Sequence, residues 1–207
     1  MGPPGAGKGT QGELLEQHLN AVRYSTGDML REARRAGTDL GRLAQTYMDA
    51  GELVPDKVVI GVVGEALNAL DPDVSVILDG FPRTIPQAEG LARMLDAAGQ
   101  RLDAVVNLVV PDDELVSRLS GRRVCSECGT LASPEAVSSG ACGVCGGALT
   151  QRRDDEADTV RRRLGVYREE TAPVLEWYAD SPVDVLEIDG IGAVAEIQDR
   201  IRARLAA

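Results

Sequence analysis

The sequence predicts a parallel α/β sheet with helices on both faces, and three observations carry that prediction. Short β-branched, apolar runs recur along the 207 residues, separated by longer stretches with helical spacing; this alternation builds parallel sheets from crossover units. The chain opens on a glycine-rich loop, Gly2-Pro3-Pro4-Gly5-Ala6-Gly7-Lys8-Gly9-Thr10, that runs straight into a helical pattern. A third run, Val74 to Leu78, ends in Asp79-Gly80-Phe81-Pro82-Arg83-Thr84, at the carboxyl end of a strand, where open α/β sheets bind ligands.

Backbone N–H groups turned inward at a helix N-terminus make an anion site. Glycine supplies the positive φ and the close backbone approach to a phosphate that such a loop requires. Lys8 can then reach the outer phosphates as a mobile point charge. Gly2, Gly7 and Lys8 keep phosphate-loop spacing, with the hydroxyl moved one place to Thr10 behind Gly9. The competing interpretation is a glycine-rich surface turn. Such loops normally follow a buried strand of about four to six apolar residues, and here Met1 alone precedes the loop. A start placed too late is therefore expected, with the launching strand missing.

The length suits one domain with an insertion or two. A hydrophobic fraction of 43% with 27% charged residues reads as an ordinary globular chain. No run approaches the length of a membrane span and no signal pattern opens the chain, so a cytoplasmic protein is expected. The net charge of −11 argues against nucleic-acid and acidic-membrane partners. An anionic substrate then needs a local cluster of positive charge. Of the 22 basic residues all but Lys8 and Lys57 are arginine, which sets the lysine in the loop apart.

A helix is expected over 7–19, with His18 on its surface. Ser25 or Thr26 caps the next helix, through Arg35, with Asp28 favourable in its first turn. Thr26 and Arg31 either face a ligand or merely cap and solvate that helix. Gly37 ends it, and a further helix runs over 39–50. Pro55 opens another to residue 70 on a stripe of Val58, Val59, Val62, Val63, Ala66, Leu67 and Leu70. The run 74–79 reads as a buried strand. Asp79 at its end is placed to hold a metal-bound water, and Arg83 to fork onto a phosphate or carboxylate; alternatively Asp79 only caps the following helix, over 84–99. A strand at 102–110 precedes a helix from Pro111 to Gly121. After the insert at 122–152, one long helix from 154 to about 180, kinked at Pro173, carries Arg161, Arg162, Arg163 and Arg168, with Trp177 and Tyr178 as core packing. A strand over 183–189 and a helix over 193–205 complete the chain.

The insert holds all four cysteines, as Cys125-x2-Cys128 and Cys142-x2-Cys145 with 13 residues between the pairs. Each knuckle aims two sulfurs at one point, so together they supply a closed tetrahedral zinc site with bonds of about 2.3 Å. A pair of disulfides is the competitor, disfavoured in a cytosolic protein. With four protein ligands the metal has no open position and is structural, folding a segment poor in apolar residues.

The motifs GPPGAGKGT, STGDMLR, GELVPD, LDGFPRT with Gln87, RLSGRR, the paired CxxC and RRDDEADTVRRR together resemble adenylate kinase along essentially the whole chain, in its zinc-lid bacterial form. The resemblance implies transfer of the ATP γ-phosphoryl to AMP, giving two ADP, with Mg²⁺. It implies that Gly5, Ala6, Gly7, Lys8, Gly9 and Thr10 hold the ATP phosphates. Leu131, Ala132 and the Gly192 backbone would lie against the ATP adenine. Thr26, Arg31, Glu52, Leu53, Val54, Gly80, Phe81, Pro82, Arg83 and Gln87 would hold AMP, with Gln87 reading the adenine edge. Arg118 and Arg122, then Arg152 and Arg163, close on the phosphates of ATP and AMP, with Asp154 and Asp155 coupling lid closure to them. Lys8, Asp79, Arg83, Arg118, Arg122, Arg152 and Arg163 are the implied catalytic set, whereas Arg161 and Arg162 are expected in surface ion pairs. Residues 25–54 form the monophosphate flap, 122–152 a rigid metal-stapled lid hinged near Gly121 and 152–154, and 1–24, 55–121 and 153–207 the core of an expected monomer.

Three departures from the family pattern follow. The missing strand is its central one, so weak folding or activity is expected of these 207 residues. After the last strand, Asp189-Gly190-Ile191-Gly192 leaves a main-chain contact only. Thr130-Leu131-Ala132 lacks the aromatic often found after the second cysteine. A kinase for UMP, CMP or GMP is the alternative within the fold, discriminated by Thr26 with Gln87. A zinc-ribbon nucleic-acid module conflicts with the net charge and the phosphate loop.

Overall fold

Caps and prolines set most helix starts. The computed structural model describes residues 1–206. Helix α1 (Lys8–Leu19) rises from the glycine loop behind Gly7, whose φ is 96°. A strand not foreseen from sequence, β1 (Val22–Ser25), delivers Ser25, whose hydroxyl accepts from the Asp28 amide and caps α2 (Thr26–Arg35). Thr38 caps α3 (Asp39–Ala50) in the same way. Pro55 precedes α4 (Asp56–Asn68), which buries Val59 and Val63. After β2 (Val76–Asp79), Thr84 rather than Asp79 caps α5 (Ile85–Ala97), which leaves the Asp79 carboxylate free for other work.

Strand β3 (Ala104–Val109) leads to α6 (Asp112–Gly121). The insert consists of β4 (Val124–Cys125), α7 (Pro134–Ser139) and β5 (Leu149–Thr150). The expected single helix of 154–180 is broken into several pieces. A 3₁₀ turn at Arg153–Asp155 precedes α8 (Ala157–Val166); a π-helical turn at Tyr167–Thr171 then joins it to α9 (Ala172–Ala179). Pro173 lies in the first turn of α9, where its missing N–H is tolerated and the irregularity falls just before it. Strand β6 (Asp184–Asp189) and α10 (Val194–Leu205) finish the chain. No helix among the described residues is long and apolar enough to cross a membrane.

The strands pair two by two. β1 lies parallel to β2, with Val22 opposite Val76 and Ser25 opposite Asp79; β3 lies parallel to β6, with Ala104 opposite Asp184. Among the described residues no ladder joins β2 to β3. Between them runs an apolar slot of about 770 Å³, lined by Ile77, Leu78, Leu91, Val105 and Val106 among others. Met1 enters the end of this slot. Its amine donates to Val106 O, and its carbonyl accepts from the Leu108 amide at 3.1 Å, the parallel-ladder pattern with Asn107 opposite. Burial drives the pKa of that amine down to about 5.

Three apolar clusters hold the layers. Ala6, Leu15, Leu108, Leu115, Leu119 and Ile188 pack beneath the glycine loop. Leu30, Ala44, Val63, Phe81 and Leu91 join α2 and α3 to α4 and α5. Ala88, Val105, Val174 and Tyr178 fill the space by α9; Tyr178 is buried as expected, with Trp177 edge-on to it at 4.9 Å.

The slot leads to a stability prediction. Burying an aliphatic side chain gains ~1.5–3 kcal/mol, and ordering a residue costs ~1–2 kcal/mol. Five β-branched residues joined before Met1 are therefore expected to raise unfolding stability by about 2 kcal/mol or more, whereas five Gly/Ser residues add nothing. Urea denaturation of the two extended chains compares them, and equal midpoints would refute the expectation.

Candidate functional site

One pocket gathers residues from the glycine loop, the segment 26–54, the carboxyl end of β2 and helix α8. Lys8, Thr26, Arg31, Glu52, Leu53, Val54, Gly80, Pro82, Arg83, Gln87 and Arg163 all line it, with Asp154 beside them. Each owes its position to local structure. Thr26, 2% exposed, donates through Oγ1 to Gly80 O at 2.9 Å, tying the start of α2 to the end of β2. Arg83 donates through Nε to the same carbonyl at 2.7 Å. Gln87, 1% exposed, is clamped at both ends: Oε1 accepts from the Arg83 amide at 2.8 Å and Nε2 donates to Asp56 at 2.8 Å. Arg31 is held by Asp28 at 2.6 Å.

The positive charges crowd one another. Burial lowers the Lys8 pKa to about 7; Asp79 works against that fall, while Arg83, Arg163 and Arg122 add to it. Arg83 is lowered to about 10 by burial and Arg163, and Arg152 to about 10 by burial and by Arg31 and Arg122. Two acids, one buried and one half-buried, offset the excess. Asp155, 1% exposed, takes a two-pronged contact from Arg122, one arm at 2.7 Å, and a bond from Arg163 at 3.0 Å. Asp154 pairs with Arg163 at 3.0 Å. Burial pushes the Asp154 carboxyl up, but Arg163, Arg122, Arg31 and Arg152 outweigh it and hold the group below its usual range.

Several sequence expectations are relocated. Lys8 is not extended toward an outer phosphate; its ammonium is folded onto Gly2 O at 2.7 Å and Pro3 O at 2.8 Å. Phe81 turns into the core at 3% exposure and does not line the pocket. Arg118 lies outside it, bonded to Glu114 and to Gly190 O. Leu131 is on the lid surface at 45% exposure, Ala132 is half-buried beside it, and Gly192 is exposed just before α10. The loop residues Gly5, Ala6, Gly7, Gly9 and Thr10 sit beside the pocket but do not line it. Both arginines expected in surface ion pairs are found in them, Arg161 with Asp158 and Arg162 with the more distant Glu52. Sequence reasoning passed over Arg23, whose guanidinium lies 3.2 Å from Asp79. An isolated arginine in a short run that ends at a helix cap was the available signal.

The four cysteine Sγ atoms lie within 4.8 Å of one another, with separations of 3.4, 3.5 and 3.7 Å between neighbours. A tetrahedron with zinc–sulfur bonds of about 2.3 Å has edges of about 3.8 Å, so the donor set fits such an ion. All four are free thiols, at spacings well beyond the ~2.05 Å of a disulfide bond. Amides of Cys128 and Val144 point at the sulfurs of Cys125 and Cys142, at 3.5 and 3.4 Å. For a hard cation, Asp79 at 11% side-chain exposure offers the single carboxylate that suits Mg²⁺ bound mainly through water and substrate phosphates.

A phosphate loop, converging guanidinium groups and a lone histidine left exposed on α1 define a phosphotransferase that works by positioning and charge neutralisation rather than by a histidine base. A family model for adenylate kinase matches residues 1–183. The chain is 50% identical over 210 residues to the adenylate kinase of Acidothermus cellulolyticus, covering 99% of this chain and 95% of the relative. Against the adenylate kinase of Trichlorobacter lovleyi it is 49% identical, covering 99% and 97%. Against that of Archaeoglobus fulgidus it is 45% identical, covering 99% and 95%. The chain belongs to the adenylate kinase family.

The depressed Lys8 pKa has a measurable sign. Its folded value of about 7 lies below the 10.5 of a free lysine, so the unfolded chain binds more protons across that window, and this group makes stability rise from about pH 7 to 10.5. A polyphosphate favours the ammonium form, so nucleotide binding at pH 8 is expected to take up close to one proton. Calorimetry in buffers of different ionisation enthalpy measures the uptake, which Lys8→Met should abolish. No uptake in the unaltered protein would mean that Lys8 is already charged.

Proposed function

We propose that this chain catalyses the reversible Mg²⁺-dependent transfer of the ATP γ-phosphoryl group to AMP, giving two ADP. The observation that carries the reading is the convergence of Lys8, Arg31, Arg83 and Arg163 on one pocket in a chain of net charge −11. The pocket's flap side offers AMP two guanidinium forks, Arg31 and Arg83, together with Thr26, Glu52, Gly80, Pro82 and the Leu53-Val54 backbone. Phe81 contributes by anchoring that wall to the core. Gln87, oriented by Asp56 and the Arg83 amide, keeps one N–H and one lone pair for an adenine edge.

On the other side the amides of Gly5, Gly7, Gly9 and Thr10 face a triphosphate, the Ala6 amide holds the turn through Pro3 O at 3.1 Å, and Lys8 exchanges two loop carbonyls for phosphate oxygens as it binds. Arg122, Arg152 and Arg163 neutralise the charge that develops in flight, with Arg118 at the edge of this set. Asp154 and Asp155 hold these guanidinium groups at their inner ends. Mg²⁺, when bound with ATP, screens the phosphates and orients their oxygens, and Asp79 is the carboxylate that would hold its water. Leu131, Ala132 and the Gly192 backbone would close on the ATP adenine.

Closure excludes water, which would otherwise accept the phosphoryl group. In the division we propose, the flap is 25–54, the lid 122–152, and the core 1–24, 55–121 and 153–207. Ion pairs Arg162–Glu52 and Arg153–Asp49, the latter at 3.7 Å, run from the α8 side to the flap. Exposed pairs of this kind are worth ~0–1 kcal/mol each, suited to a contact that opens every cycle. Zn²⁺ on Cys125, Cys128, Cys142 and Cys145 would keep the lid rigid. The enzyme is read as a cytoplasmic monomer handling ATP, AMP and ADP, without nucleic-acid or membrane partners.

Offering Mg²⁺-ATP with AMP, UMP, CMP or GMP separately and quantifying diphosphates tests the reading. Diphosphate is expected from AMP alone, and Arg83→Met should lower kcat by roughly 10²–10³-fold, the usual effect of removing one transition-state donor. Turnover of another monophosphate in preference to AMP would overturn the assignment. Stripping the metal with a thiophilic chelator should unfold the lid and release one zinc per chain, leaving core secondary structure in place; an unchanged lid by hydrogen exchange would remove its structural role.

A further inference from the structure

Arg23 is enclosed by acids. Its side chain is 13% exposed and faces carboxylates from each element packed around it. Nη1 donates to Asp79 Oδ2 at 3.2 Å, at the end of β2, and Nη2 to Glu13 on α1 at 3.4 Å. Nε lies 3.5 Å from Glu16, also on α1, and Nη1 4.0 Å from Asp28 in the first turn of α2. Among the described residues this is the one ion pair on Asp79. The arginine stem fits because residue 12 is glycine, where a Cβ would come 2.8 Å from Arg23 Cδ. A Cβ on Gly9 would stand 3.7 Å from Asp79 Oδ2, so the carboxylate that Arg23 grips is seated against the phosphate loop. Arg23 itself does not line the nucleotide pocket.

We propose that Arg23 is a positioning residue for the divalent cation that accompanies the nucleotide: it pins Asp79 through Oδ2, leaves Oδ1 for the hydrated ion, and offsets part of the carboxylate's charge. A carboxylate held by one oxygen keeps a fixed orientation, and a planar guanidinium can do this while its other arm stays on Glu13. The inference rests on the assignment of Asp79 to the cation's water shell. Its consequence is a pair of effects with opposite signs. Removing the guanidinium leaves Asp79 more negative, so cation affinity rises; it also leaves Asp79 free to rotate, so turnover falls. A residue that served only to hold the fold would weaken both.

The experiment titrates Mn²⁺, followed by its paramagnetic resonance signal, into the zinc-loaded enzyme with ADP bound, and separately measures kcat, the KM for AMP, half-saturating Mg²⁺ and Tm. Arg23→Met is expected to tighten Mn²⁺ by about tenfold and to lower kcat by roughly 10–100-fold, the usual range for an outer-sphere partner, with the KM for AMP unchanged. Arg23→Lys keeps the charge and loses the fork, so Mn²⁺ affinity should stay within about twofold while kcat falls part of the way. If Arg23→Met does not fold, Arg23→Gln supplies a neutral side chain that retains a donor for Asp79. Unchanged or weaker Mn²⁺ binding in the folded neutral variant overturns the proposal, as does an Arg23→Lys variant that behaves like it. Asp79→Asn separates the two levels. If it weakens Mn²⁺ about tenfold or more while the Arg23 variants do nothing, only the role of Arg23 fails. If it too is silent, the assignment of Asp79 fails.

Discussion

Collecting positive charge inside a chain of net charge −11 is the constraint to which the rest of the structure answers. Lys8, Arg83, Arg152 and Arg163 all hold their protons less tightly than free side chains, because burial removes water and each cation raises the potential at the next. That cost stays tolerable because buried Asp155 and half-buried Asp154 sit against the guanidinium groups of Arg122 and Arg163. Removing Asp155 would leave Arg122 without its acid and Arg163 with Asp154 alone, a greater cost than losing a surface pair. The excess that remains is the driving force for an anion. The scaffold is arranged accordingly, with the 3₁₀ turn, the last turn of α8 and the loop after β2 bringing Asp154, Arg163 and Arg83 to one pocket.

The same logic separates the roles of the two proposed mobile segments. The flap is held by apolar packing, with Leu30, Ala44 and Val54 in a cluster that includes Val63 and Leu91 of the core. The lid buries little apolar matter beyond Val124, Ala136 and two of its cysteines, so four sulfurs gathered around one point are its equivalent of a core. A segment held by ligand bonds can be small and stiff, and its exposed Val144 and Leu131 are free of any packing duty within it.

Much of this was legible in the sequence because it is written in local chemistry. Ser25 and Pro55 mark helix starts where they occur, the CxxC pairs give the sulfur cluster, and the glycine loop runs straight into α1. What failed was non-local. Strand β1 has four residues, half of them polar, and exists because β2 offers it a parallel edge; no periodicity can show that. The helix expected from 154 to 180 is interrupted by a π turn whose placement depends on packing on either side of Pro173. Phe81 faces inward although its neighbours Gly80 and Pro82 face the pocket, a rotation set by the core cluster. Gln87 stands out in the sequence beside the LDGFPRT motif, but its double clamp by Asp56 and the Arg83 amide joins residues up to 31 apart in sequence. Arg23 and Gly12 are likewise meaningful only as a pair, eleven positions apart in sequence and adjoining in space.

The division of the strands into two pairs changes what a nucleotide is to this protein. The walls of the pocket come from both pairs, Thr26, Gly80 and Arg83 from the side of β1 and β2, and the glycine loop, tied to β3 through Met1 and Leu108, from the other. A ligand that grips both walls spans a junction that no ladder crosses among the described residues. Binding then contributes to cohesion as well as to chemistry, by RT ln(1 + [L]/Kd). The persistence of the folded chain is thereby tied to the surrounding concentration of adenine nucleotides, and the substrate pool acts as part of the scaffold.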